Sequence, residues 1–147
     1  MLTFKQFIKE HYGFEPAEDD PLRLHGTSVH RSGPHNASVE FNHEGGGRVA
    51  VDFGINSKYH GSNPDVPAEH KIKLLRGMRN SFREYVATNR KYGDLRSVQL
   101  HASPFDSDPD KKKKAVQYQR IAQQTADATG GTVEHHPLGS TVHWASK

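Results

Sequence analysis

Hydrophobic and polar positions change their period several times along this 147-residue chain, and each change marks an element. Val39 and Phe41 alternate with polar neighbours, His43-Glu44-Gly45-Gly46-Gly47 turns the chain, and Val49, Val51 and Phe53 alternate again. This pattern predicts a β-hairpin. From 68 to 92 the period becomes 3.6: Leu74, Leu75, Met78, Phe82, Tyr85 and Val86 share one face of a predicted helix that ends at Gly93, with Arg76, Arg79, Arg83 and Arg90 on a flanking, solvated stripe. Val98 and Leu100 then alternate with Gln99 and His101 in a further strand. A second helix is predicted with Asp108 as its cap, Pro109 at its first position and Asp110 in its first turn, where acidic groups suit the helix dipole. Its buried positions are Ala115, Tyr118, Ile121, Ala122 and Thr125, and Gly130-Gly131 stops it. Short strands near 132–136 and 141–144 follow.

The order β-β-α-β-α-β-β predicts an α+β fold, a small two-layer sandwich in which two helices cover one face of a mainly antiparallel sheet. This domain is expected over residues 36–147. Residues 11–35 hold Pro16, the acidic run Glu18-Asp19-Asp20, Pro21, Gly26, Gly33 and Pro34, and read as a connector with one short strand near 22–27. Residues 54–67 mix Gly, Pro, Ser and Asn without periodicity and read as a long loop.

Residues 1–10 stand apart. Thr3 can cap a helix while Gln6 reaches back to the cap, and Phe4, Phe7 and Ile8 then share a face. So short a helix is unstable alone in water and forms when its aromatic face docks, either on the chain's own domain or on another protein. Met1, Thr3, Phe7, Ile8 and Glu10 match the capsid-targeting segment of the internal head proteins of T-even-like tailed phages, which these ten residues resemble. The resemblance implies that the prohead protease cuts between Glu10 and His11 and that Thr3, Phe4, Phe7, Ile8 and Glu10 carry the targeting. It further implies residence in the virion head beside the capsid scaffold, delivery with DNA to the host cytoplasm, and action by binding or inhibiting a host protein without a catalytic residue.

Composition narrows the chemistry. With no cysteine, thiolate zinc sites, cysteine nucleophiles and disulfides are excluded. No run approaches the length of a membrane span, so no membrane partner is expected. A hydrophobic share of 33% and a mean hydropathy of −0.85 predict a small core with long polar loops. The formal charge is +3, and loss of residues 1–10 leaves 18 basic and 16 acidic side chains, a net +2. This mild excess suits non-specific contact with packaged DNA, and Arg76, Arg79, Arg83 and Lys111, Lys112, Lys113 and Lys114 are the candidate anion-binding residues. The lack of interleaved aromatics argues against stacking on single strands.

An alternative chemistry rests on Leu24-His25-Gly26-Thr27 and Leu100-His101-Ala102-Ser103. On a strand, a His and a hydroxyl two positions later point the same way. The pair resembles the motifs of the two-histidine phosphoesterases, which implies that His25, Thr27, His101 and Ser103 act on a cyclic or 2′,5′ phosphodiester. Metal binding is not expected: adjacent His135 and His136 face opposite ways on a strand, away from a common ion with His143. Asp106-x-Asp108-x-Asp110 lacks the glycine and terminal glutamate of a calcium loop. The strand, the helix containing Tyr118-Gln119-Arg120-Ile121-Ala122, the Gly-Gly pair and the following strand also resemble the last third of acetyltransferases, where such a Tyr contacts the cofactor thioester. The Arg-x-x-Gly-x-Gly/Ala loop for a pyrophosphate is missing, and no cofactor is expected.

Overall fold

The computed structural model describes residues 14–16, 24–55, 66–102 and 107–145. The targeting residues Thr3, Phe4, Phe7, Ile8 and Glu10, most of the 54–67 segment, Ser103 and Asp106 lie outside this set. Strands β1 (Phe14–Pro16), β2 (Gly26–Ser32), β3 (His35–His43) and β4 (Arg48–Ile55) are followed by helix α1 (Ala68–Lys91), β5 (Ser97–His101), helix α2 (Asp108–Thr129), β6 (Thr132–His136) and β7 (Gly139–His143). The strands form one sheet in the order β1-β2-β3-β4-β5-β7-β6. All neighbours run antiparallel except β4 and β5. The chain is thus a small α+β fold with a mainly antiparallel sheet.

The predicted hairpin is β3–β4. Its turn places Gly45, Gly46 and Gly47 at φ of 98°, 63° and 80°, a region that costs glycine little. Gly47 does more than turn the chain, because its carbonyl accepts the amides of Arg96 at 2.8 Å and Ser97 at 3.2 Å and so ties the hairpin to the start of β5. Parallel pairing requires a crossover, which α1 supplies. The β4–β5 ladder runs from Arg48↔Ser97 to Val51↔Leu100, while β4 continues to Ile55, so the two strands part at their carboxyl ends.

Both helices lie on one face of the sheet, since Phe53 of β4 meets Phe82 of α1 edge-on at 6.1 Å and stacks with Tyr118 of α2 at 5.8 Å. Beneath them Val39, Phe41, Val49, Val51, Val98, Leu100 and Val142 are buried. Ala115, Ala122 and Ala126 form the inward stripe of α2, small enough to let the helix approach the sheet closely. Neither described helix covers the other face, which is mainly polar: Asn42, Asp52, Gln99, His101, Glu134, His136 and His143 fall at alternating register positions there. Such one-sided burial is what the period-2 pattern of an antiparallel sheet encodes.

Four expectations need correction. The strand expected near 22–27 is Gly26–Ser32, and with β1 it belongs to the sheet, so the domain begins before residue 36. Leu75 is exposed, because the first turns of α1 lie beside the polar β2–β3 turn, where His70 meets Ser32. The cap of α2 is Ser107, whose Oγ accepts the Asp110 amide at 3.3 Å; Asp108 is already helical. Arg90 is not part of a solvated arginine stripe: it donates to the Leu95 carbonyl at 2.6 Å and lies 5.4 Å over the Trp144 ring.

Candidate functional site

The two His-x-Ser/Thr motifs do not converge. His25 immediately precedes β2 and His101 ends β5, with β3 and β4 between them. Three strand spacings of about 4.8 Å separate the two backbones by roughly 14 Å. Their neighbours differ as well: the His25 ring accepts the His43 amide at 3.3 Å, while His101 meets Gln99 and His136. Thr27 follows His25 on β2 and is equally remote from His101.

Arg76, Arg79 and Arg83 are exposed on the outer side of α1 and are spaced to form one line along it. Lys111 to Lys114 occupy the first turns of α2, where Lys112 and Lys113 are exposed and Lys111 lies 4.0 Å from Asp108. Both groups lie in the helical layer, opposite the polar sheet face. That layer therefore presents cations to solvent in two patches.

A polar seam between β2 and α1 is absent from the sequence reading. Ser28, His30 and Ser32 alternate along β2 towards the helix. His30 Nε2 lies 3.0 Å from both Ser28 Oγ and Ser81 Oγ, and Ser32 Oγ lies 2.7 Å from His70 Nδ1. Burial holds His30 below its usual imidazole range. A Ser–His contact invites a nucleophile reading, but Ser81 donates to the Met78 carbonyl, and both Ser28 of the strand and Ser81 of the helix are buried between the two layers. A nucleophile must reach its substrate, so this seam joins helix to sheet. The sequence signal was the Ser-x-His-x-Ser alternation, matched by small Gly77 and Ser81 one helical turn apart.

On the open face, His136 Nε2 lies 3.2 Å from Thr141 Oγ1 and 3.9 Å from Glu134, whose other oxygen is 3.1 Å from His143 Nε2. His135 faces the other way and meets Ser140 at 2.7 Å, as strand geometry requires of adjacent residues. His101 contacts the His136 ring edge-on at 5.0 Å. Burial, and then the neighbouring His136, hold the His101 imidazole below its usual range. Near the opposite, amino end of β4 and β5 a shallow depression of about 310 Å³ is lined by Glu44, Arg48, Val49, Ser97 and Gln99. Its mostly polar lining lacks the apolar walls of a usual small-molecule site.

At the other end of these two strands β4 and β5 fork beyond the Val51↔Leu100 pair, where their pairing stops. In open sheets with parallel strands, ligands bind outside the carboxyl ends at such points. The stacked pair Phe53–Tyr118 stands on the helical side of this fork. The fold and these surfaces define a small α+β domain whose sheet has one face on the core and one polar face that neither described helix covers. No protein family, no curated protein and no solved structure matches the chain.

Proposed function

We propose that this chain is an internal head protein of a tailed phage. Residues 1–10 address it to the assembling head, the prohead protease cuts after Glu10, and the α+β domain acts by binding a host factor after delivery with the DNA. The observation that carries the reading is the pattern Thr3, Phe4, Phe7, Ile8 and Glu10. It is supported by the start of β1 at Phe14, beyond the expected cut, so that trimming leaves every described strand whole. A binding role for the domain is supported by the separation of His25 from His101 and the closure of the His30–Ser81 seam. Fusion of residues 1–10 to a fluorescent reporter during phage infection tests the address. Reporter in purified heads, lost when Phe7 and Ile8 are both changed to Ser, is the expected result; equal packaging of the unfused reporter contradicts it.

One observation favours a second reading, an acyl-thioester-binding scaffold. Tyr118 stands at the β4–β5 fork, on the helix whose surroundings resemble the last third of acetyltransferases. Residues 56–65, which join β4 towards α1, carry a single glycine, Gly61, in place of a glycine-rich phosphate loop. Acetyl-coenzyme A should then raise the melting temperature of the wild type and leave Tyr118→Ala unmoved. Absence of any shift in the wild type removes this reading.

A further inference from the structure

Strand β7 lies between β5 and β6, and Gly139 of β7 is the register partner of both His101 and His136. The two histidines thus share one row on the open sheet face, two strand spacings apart, about 10 Å at the backbone. Between them is the one residue without a side chain, and the rings close over it to a centroid separation of 5.0 Å. With zinc–nitrogen bonds of about 2.0 Å, ring centres roughly 1.1 Å further out and a tetrahedral angle, two imidazoles on one ion have centroids about 5 Å apart. The observed spacing matches that value.

We propose that His101 and His136 form a two-imidazole site for a divalent transition-metal ion such as Zn²⁺, with water completing its coordination. The surrounding contacts fit this use. Donation of His136 Nε2–H to Thr141 or towards the Glu134 carboxylate leaves the Nδ1 lone pair for the metal and fixes the ring. The Gln99 amide nitrogen lies 3.2 Å from His101 Nδ1 and 3.4 Å from Nε2; with the amide turned over so that its oxygen accepts the ring N–H, it holds the ring and leaves the other ring nitrogen its lone pair for the metal. Both rings are half-buried on strands and so lose little freedom on binding. Imidazole pairs suit zinc, copper and nickel better than calcium or magnesium. Among the described residues no three His, Asp or Glu side chains form a ready-made cage, which makes this an open two-ligand site.

A second close pair, His35 and His70, has a centroid separation of 5.3 Å. There, His70 Nδ1 meets Ser32 at 2.7 Å and Nε2 faces Glu69 at 3.7 Å, so both ring nitrogens are engaged. His136 has only one nitrogen so engaged, and both contacts at His101 come from the single Gln99 amide, which a turn of that side chain relieves.

Calorimetric titration of the full chain with Zn²⁺ at pH 7.5 tests the assignment. One ion should bind per chain, and affinity should fall about tenfold or more in both His101→Gln and His136→Gln while His143→Gln and His35→Gln keep it. Circular dichroism of each variant separates loss of ligand from loss of fold; for a variant that unfolds, the readout is nitrogen NMR of the wild type, where Zn²⁺ should shift both the His101 and His136 imidazoles. No saturable binding by the wild type, or undiminished binding by folded His101→Gln and His136→Gln, overturns the site, as does zinc moving other histidines and not these two.

Discussion

His30 Nε2 on β2 and Ser81 Oγ on α1 lie 3.0 Å apart, a polar join between the two layers at the edge of the apolar core. Burial lowers the His30 pKa from 6.5, so between the lowered value and 6.5 the unfolded chain binds more protons than the folded one. Stability is then full above about pH 6.5 and is lost as the pH falls through the folded value. His101 adds to the same trend, for its imidazole is lowered too. Urea unfolding at pH 7.5 and 5.5 should show a lower midpoint at the acid pH, with a smaller drop in His30→Gln. An equal drop in wild type and variant contradicts this role for His30.

Gly77→Ala should destabilise the protein although alanine is the better helix former by about 1 kcal/mol. A Cβ at Gly77 would sit 2.8 Å from His30 Nδ1, and the ring is held between Ser28 and Ser81 with little room to retreat. The expected outcome is a net loss of up to about 2 kcal/mol, the usual overpacking cost of about 1–3 kcal/mol less the gain in helix propensity. Denaturant unfolding of Gly77→Ala beside Ala87→Gly, an exposed position on the same helix, separates packing from propensity.

Tyr85 stacks on Phe41 at 3.7 Å, and its hydroxyl donates to the Leu24 carbonyl at 2.6 Å. The bond joins the segment before β2 to the middle of α1. Tyr85→Phe keeps the ring and leaves a buried carbonyl without this donor, which should cost about 1–3 kcal/mol. Tyr85→Ala also opens a cavity and should cost about 3–5 kcal/mol. Thermal or urea unfolding of both variants checks the order.

Local pattern made the β3–β4 hairpin, both helices and the two last strands legible, because each carries its own period or stop signal: Gly45-Gly46-Gly47 for the turn, Gly130 in a left-handed C-cap at φ 73°. One-sided coverage by the helices followed from the alternation. Strand β2 was misplaced because Ser28, His30 and Ser32 turn polar side chains inward, which inverts the usual reading of a strand. The histidine geometry was not legible at all. His101 and His136 are 35 positions apart, and only the insertion of β7 between β5 and β6 makes them neighbours, while the similar-looking His25 and His101 motifs end up three strands apart.

The N-terminus of the protein in purified, DNA-filled virions is the most direct measure of the proposed function. Intact-mass and N-terminal peptide mass spectrometry should find a chain that starts at His11 and lacks residues 1–10. A chain that keeps Met1 through Glu10 in mature particles, or particles without the protein, contradicts the account.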